Sequence, residues 1–255
     1  KGRPRKIYCT EDGPVMINSI IENPNTVAES LKSDDSEKWK EAMQIEYNSL
    51  IKNKTWQLVE KPSGKNIIGC KWVFALKRNP DGSIEKFKAR LVAHGCSQKH
   101  NVDYQETFAP VVRHSTIRLL LALSAKHKLL VNHIDIVAAY LNGNLEDEVY
   151  MVQPKMFEDK NYPNKVCKLN KALYGLKQAG REWNKKVNDI LLEMGFMRCK
   201  SDTCVYMKRN GSEVCLIAIY VDDILLACSS DIEMKNIIST LNKYVEAVDR
   251  GPISF

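Results

Sequence analysis

Apolar residues recur at helical spacing from Ser36 onward. Trp39, Ala42, Met43, Tyr47, Leu50 and Ile51 fall on one face, with Ser36 as the expected N-cap. A run opened by Ser115 is more uniformly apolar and predicts a second helix to about Leu130. A third stripe, Trp183, Val187, Ile190, Leu191 and Met194, covers 181–194 and stops at Gly195, a residue suited to the left-handed conformation that closes helices. Ser230 or Asp231 caps a last helix carrying Ile237, Ile238, Leu241, Tyr244 and Val245, beyond which only GPISF remains.

Between these helices the period changes to two. The stretches 67–77 and 83–94 flank Asn79-Pro80-Asp81-Gly82, whose Pro and Gly suit a tight turn, so they predict a hairpin. In its second strand Phe87, Ala89, Leu91 and Ala93 share one face, and Lys86, Lys88, Arg90 and His94 the other. Three cations in one row repel each other unless an anion lies across them. Residues 131–137 form a short strand in which Ile134 and Ile136 share a face and Asp135 takes the opposite one. A second hairpin begins near Cys204, turns at Asn210-Gly211 and returns through 214–220, apolar on both faces and therefore expected at the centre of a sheet. That strand runs directly into Asp222 and Asp223, then out through Ile224, Leu225, Leu226 and Ala227.

Helices alternating with antiparallel hairpins predict an α+β fold rather than a doubly wound parallel sheet. Residues 1–34 lack sustained periodicity and read as a flexible linker, which leaves 35–255 as the folded domain. The GRPRK near the start matches an AT-hook only weakly, and a basic tether fits it better.

Composition narrows the class. With 44% hydrophobic and 27% charged residues over 255 positions, the chain is globular rather than disordered or fibrous. No window approaches the roughly 18 consecutive apolar residues of a membrane span, so no membrane partner is expected. The basic start, KGRPRK, has no apolar stretch behind it, so no secretory signal is expected and the eight cysteines should be reduced. None of them forms a C-x-x-C pair, and most sit in apolar runs as small buried hydrophobes. His94, Cys96 and His100 lie close together, but no second pair stands at ligand spacing, and zinc is not expected.

Charge is unevenly placed. Residues 54–100 hold ten Lys or Arg against Glu60, Asp81 and Glu85, a balance of +7 (10 minus 3) that equals the net charge of the whole chain. Such a concentration suits a surface that meets phosphates, although a solvated lysine-rich face explains the charge alone equally well. Neither G-x-G-x-x-G nor G-x-x-x-x-G-K-[ST] occurs, which removes the main support for dinucleotide and P-loop chemistry.

The acids carry the sharpest signal. A carboxylate in an apolar strand is costly if buried alone, so Asp135 needs water, a cation or a hydrogen-bond donor. Adjacent Asp222 and Asp223 raise each other's pKa unless a cation neutralises them, although an exposed turn would also accommodate the pair. If the Asp135 strand lies beside Tyr220-Val221-Asp222-Asp223, three carboxylates meet at one sheet edge as hard oxygen ligands for Mg²⁺. Two such ions about 4 Å apart suit nucleotidyl transfer.

These residues carry a resemblance. YVDDILL is similar to motif C of reverse transcriptases, and HIDIVAAYLNG to their motif A in the form found in copia-type long-terminal-repeat retrotransposons. WKEAMQIEYNSLIKNKTWQLVEKP, GCKWVFALKRNPDGSIEKFKARLVAHGCSQ, DYQETFAPVV, VYMVQP and LNKALYGLKQAGREWN resemble further blocks of the same family, in order, over about 36–255. The resemblance implies a palm with an antiparallel sheet and helices on one face, joined to a fingers hairpin. It implies an RNA-directed and DNA-directed DNA polymerase that uses an RNA template, a DNA primer and deoxynucleoside triphosphates, with two Mg²⁺ ions, or Mn²⁺ in their place.

By position, Asp135, Asp222 and Asp223 resemble the catalytic, metal-binding acids, with Asp223 the more peripheral, and Ile136 would offer its carbonyl to a metal. Tyr140 stands at the family's steric gate against a ribose 2′-hydroxyl. Tyr174, Gly175 and Gln178 of motif B would lie near the nucleotide, Gly175 by letting backbone approach the base pair; Gly180 replaces the family's usual Pro. Lys88 and Arg90 would contact the triphosphate, with Lys86 a weaker candidate, and Trp183 reads as core.

The resemblance also implies a fragment of a Pol polyprotein that stops before primer grip, thumb and ribonuclease H and lacks the integrase motifs, so activity of this piece alone is in question. A cytoplasmic virus-like particle, with nuclear import later, is the implied location. A catalytically inactive nucleic-acid-binding remnant is the rival reading. A metal-dependent nuclease is a third, but it leaves Tyr140 and the GLKQ block without a purpose.

Overall fold

The computed structural model describes residues 23–211 and 213–253, together with the backbone of two short strands, β1 (Cys9–Thr10) and β2 (Gly13–Pro14), which pair antiparallel. GRPRK lies outside the described residues. The linker expected over 1–34 gives way to ordered contacts at Asn23, whose Oδ1 accepts the Leu76 N–H at 2.9 Å. Helix α1 (Val27–Lys32) follows, with the Thr26 hydroxyl accepting the Glu29 N–H at 3.1 Å. Six residues are too few to register as a periodicity, so the helix was not expected.

Helix α2 (Ser36–Lys52) begins with Asp35, not Ser36, in the cap position. It buries Trp39, Ala42, Met43 and Leu50, whereas Ile51 stays 48% exposed. Strands β3 (Trp56–Val59), β4 (Ile67–Ile68), β5 (Cys70–Arg78) and β6 (Ile84–Ala93) come next. Only β5 and β6 make the expected hairpin, closed by Gly82 at φ 85°. Ile67 and Ile68 leave it for a different sheet. Helix α2 packs on the apolar side of the hairpin, where the Trp39 ring meets Phe74 and Phe87 edge-on at 5.2 and 4.7 Å.

The second half holds α3 (His114–His127), β7 (Leu130–Ile136), β8 (Tyr150–Met151), β9 (Val166–Leu169), α4 (Ala179–Glu193) and β10 (Met197–Arg198). It continues with β11 (Val205–Asn210), β12 (Glu213–Tyr220), β13 (Asp223–Cys228), α5 (Asp231–Leu241) and β14 (Ala247–Pro252). The cap of α3 is Arg113 rather than Ser115, and the Asp202 carboxylate, 89 residues away, accepts the Arg113 N–H at 3.1 Å. At α5 the cap is Ser230, whose hydroxyl accepts the Glu233 N–H at 3.2 Å. The segment after that helix is a strand, β14, which the sequence pattern did not reveal.

Two larger sheets result. One has six strands in the order β10-β11-β12-β13-β7-β14, all antiparallel. The other runs β3-β9-β8-β4, with only its β4–β8 pairing parallel. The chain is thus a mixture of helices and largely antiparallel sheets.

Helices cover both faces of the six-stranded sheet, not one face as the resemblance implied, because α3 packs opposite α4 and α5. Ile134, Ile136, Ile217, Ile219, Ile224 and Leu226 pack on one side with Trp183, Val187, Ile190 and Leu191 of α4 and Met234 and Ile237 of α5. On the other, Ala218 and Ala227 meet Leu120 of α3. This two-sided burial is why β12 is apolar throughout. No helix among the described residues is long and apolar enough to cross a membrane.

Candidate active site

Strands β12 and β13 are joined by a two-residue turn at Val221-Asp222, across which Tyr220 and Asp223 are partners. Val221 sits at φ 57°, a left-handed conformation that a β-branched residue rarely adopts. The Trp183 indole N–H donates to the Val221 carbonyl at 2.7 Å and pins this turn to α4. Trp183 is therefore core, as expected, and also a strut beneath the acids.

Strand β7 lies next to β13, with Asp135 the direct partner of Asp223, and the Ile136 N–H donates to the Asp222 carbonyl at 2.9 Å. The backbone thus brings Asp135, Asp222 and Asp223 together at one end of the sheet. Ile136 is 1% exposed, its side chain in the core.

The three carboxylates are turned to three different partners. Arg250 Nη2 of β14 lies 2.6 Å from Asp135 Oδ2. The Tyr174 hydroxyl donates to Asp222 Oδ2 at 3.1 Å, and His133 Nε2 lies 2.8 Å from Asp223 Oδ1. Accordingly, no three Asp, Glu, His or Cys side chains already surround a common metal position among the described residues. This departs from the expected convergence of the side chains, although their backbones are adjacent.

The donor set still fits a hard divalent cation. Asp222 Oδ1 is buried without any hydrogen-bond partner, and an orphaned carboxylate oxygen beside two more acids is one that a cation would satisfy. Burial pushes the Asp222 carboxyl above the usual carboxylate range, with the Tyr174 hydrogen bond and Arg90 acting against it and Asp223 and Asp135 adding to it. Burial, then Asp222, likewise raises Tyr174 and Tyr140.

Tyr140 follows β7 in a 3-10 turn (Ala139–Asn142), half-buried and edge-on to Tyr174 at 4.6 Å. The Arg90 guanidinium lies over the Tyr174 ring at 5.1 Å, which links the hairpin to the acids. Lys88 is half-buried, and desolvation, then Arg90, lowers its pKa. No anion pairs with this row among the described residues; Glu46 of α2, an acid the sequence pattern did not single out, is pushed by burial above the usual carboxylate range. It accepts the Leu91 N–H at 3.3 Å. Lys86 instead faces Lys77 across the hairpin and stays exposed.

Motif B departs from expectation at Gln178. Gly175, at φ 92°, permits a close approach to β6: a Cβ there would sit 2.2 Å from the Ala93 carbonyl oxygen. A Cβ on Gly95 would in turn sit 2.0 Å from the Gly175 carbonyl oxygen. Gln178 is 1% exposed. Its amide donates to Asp103 O at 2.8 Å and Asp147 Oδ2 at 3.3 Å and accepts from Gln98 at 3.0 Å, so it braces the loop from inside instead of reaching toward a nucleotide. His94, of the sequence's weak zinc trio, packs its ring against Gly69.

On the α3 side of the acids lies an open cavity of about 360 Å³, lined by His133, Tyr220, Asp223, Arg250, Val112 and Ile117 among others. His133 and Arg250 escaped the sequence reading. His133 carried one faint signal, its place two residues before Asp135 on the same strand face, and Arg250 carried none.

The family profile described as reverse transcriptase (RNA-dependent DNA polymerase) matches residues 53–255. The chain belongs to the reverse transcriptase family. It is 40% identical over 233 residues to the retrovirus-related Pol polyprotein from transposon RE1 of Arabidopsis thaliana, covering 91% of this chain and 16% of that protein. Against the corresponding polyprotein from transposon TNT 1-94 of Nicotiana tabacum it is 40% identical over 230 residues, 90% of this chain and 17% of that one. A Ty1-LR2 Gag-Pol polyprotein of Saccharomyces cerevisiae is 31% identical over 215 residues, 82% of this chain and 12% of the yeast protein. This reverse transcriptase is thus of the copia type, and it spans about a sixth of the length of the plant relatives it matches.

Proposed function

We propose that this reverse transcriptase domain is the polymerising core of a retrotransposon Pol polyprotein, copying RNA and then DNA into DNA. The six-stranded sheet serves as the palm and the β5–β6 hairpin as the fingers. The observation that carries this reading is the register of β7 on β13, which sets Asp135 against Asp223 with Asp222 in the adjoining turn.

Asp135 and Asp222 would hold two divalent cations, with Asp223 at their edge. When bound, the two Mg²⁺ or Mn²⁺ ions would lower the pKa of a primer 3′-hydroxyl, neutralise charge on the transferred phosphoryl group and hold the leaving pyrophosphate. The chain's own groups supply the rest. Arg90 and Lys88 offer a fork and a point charge to a triphosphate. Tyr140, set edge-on by Tyr174, presents a ring that a ribose 2′-hydroxyl would strike. Trp183 keeps the Val221-Asp222 turn in place while the reacting groups are loaded.

The partners that go with this reading are an RNA template, a DNA primer and deoxynucleoside triphosphates, with ribonuclease H and integrase elsewhere in the parent polyprotein. A cytoplasmic particle is the setting it fits. A non-catalytic remnant is disfavoured, because such a chain has no need to keep all three acids or the strained turn that presents one of them.

The test is template-directed incorporation of a deoxynucleotide on an RNA template with a DNA primer, using this chain alone and extended by the downstream segment of its parent. Incorporation that depends on divalent metal and disappears in Asp222→Asn supports the reading. Salt-sensitive nucleic-acid binding without incorporation in either form would leave the remnant instead.

A further inference from the structure

We propose that Arg250 is an internal counter-ion for Asp135 which a divalent cation must displace to engage Oδ2 of that carboxylate. The proposal deepens the metal-binding reading above and rests on it.

The contact is set by the fold. Val248 of β14 is the direct partner of Asp135, and Arg250 lies two residues farther along, within diagonal reach for a long side chain. The pairing is interrupted between Asp249 and Pro252, and that irregularity is anchored. The Asp249 carboxylate accepts from Asn132 Nδ2 at 3.0 and 2.9 Å and from the Gly251 N–H at 2.9 Å, with Gly251 at φ 86°. Arg250 is thus presented from a held turn.

Charge makes this partner different from the others. Asp222 is met by a phenol and Asp223 by an imidazole, groups that can stay neutral, whereas a guanidinium is positive at any working pH. A cation held by Asp135 would compete for its oxygens, and Arg250 occupies Oδ2. The guanidinium therefore stands where a cation would be held and repels one nearby. The pair is also open to water, with side chains 54% and 33% exposed, so it opposes metal entry only modestly. Arg250 acts as a weak latch on the metal-free site.

The test is Mn²⁺ binding by calorimetry to the wild-type chain, Arg250→Gln and Asp222→Asn. Arg250→Gln is expected to bind Mn²⁺ about two- to tenfold more tightly than the wild type, with Asp222→Asn losing the site. Unchanged or weaker binding by Arg250→Gln, with Asp222→Asn still losing the site, overturns the latch and leaves the metal-site reading standing. Binding by Asp222→Asn as tight as wild type, or no binding by either wild type or Arg250→Gln, removes the metal-site reading and the latch with it. If Arg250→Gln does not fold, the wild type decides. Its Arg250 Nε–H resonance, assigned by its loss in Arg250→Lys, should shift as Mg²⁺ is added; a resonance that stays fixed while neighbouring backbone signals respond overturns the proposal.

Discussion

The indole N–H of Trp183 holds the carbonyl of Val221 at 2.7 Å, and Val221 is the strained residue that sets Asp222 at the tip of its turn. Removing the donor while keeping most of the ring, in Trp183→Phe, should cost about 1–3 kcal/mol of stability because the carbonyl loses its partner in a largely buried setting. Val221→Gly should show the opposite sign, relieving a left-handed strain of about 1–2 kcal/mol against the added chain entropy of glycine. Urea midpoints of the two variants check both; a Trp183→Phe variant as stable as the wild type would show that the hydrogen bond contributes nothing.

Gly175 and Gly95 form a second tight contact, between motif B and the end of β6. Gly175→Ala puts a methyl 2.2 Å from the Ala93 oxygen in a left-handed backbone. A loss of at least about 2 kcal/mol is expected, from strain plus displacement of backbone. Thermal denaturation reads it, and a shift within error would mean the two segments separate freely.

Gln178 and Arg90 should part company in experiment. Gln178→Ala leaves Gln98, Asp103 and Asp147 short of partners inside the protein, so about 1–3 kcal/mol of stability is lost. Arg90→Ala should instead weaken triphosphate binding by about tenfold, the loss of a charge-assisted hydrogen bond. Calorimetric titration with a deoxynucleoside triphosphate, beside unfolding curves, separates the two effects; equal losses of affinity in both variants would contradict the assignment.

How far the sequence reached follows from the physics of each element. Helices α2 and α4 and strand β12 were legible because burial writes itself into periodicity, and so was the adjacency of Asp135 with Asp222 and Asp223, once their strands were read as neighbours. Strand β14 was not legible. It is an edge strand carrying Asp249, Arg250, Gly251 and Pro252, held by backbone pairing that leaves no apolar pattern. Contacts between distant positions were equally hidden: Asp202 on the Arg113 N–H at the start of α3, Glu46 on the Leu91 N–H and Arg250 on Asp135 depend on topology that a local pattern does not encode. Gln178 was misplaced for a related reason, since a polar residue beside motif B looks the same whether its amide points to a cleft or into a buried network.

Glu148 offers a pH test away from the acids. Lys65 and Lys168 hold it at 2.8 and 3.0 Å and lower its pKa from 4.5 to about 2. A depressed acid stabilises the fold above its unfolded pKa and loses that contribution as pH falls through the folded value. Any destabilisation by Glu148→Gln should therefore be present at neutral pH, shrink below about pH 4.5 and vanish near pH 2. It should also fade in high salt, because the carboxylate is exposed to solvent. A gap between wild type and variant that widens on acidification would contradict the pairing.

The most direct measurement is anomalous diffraction from crystals of the chain grown with Mn²⁺ and a deoxynucleoside triphosphate. Anomalous peaks are expected within about 2.3 Å of carboxylate oxygens of Asp135 and Asp222, with the triphosphate between them and Arg90. A bound triphosphate with its metal elsewhere, and no peak at those two aspartates, would contradict the metal-site reading.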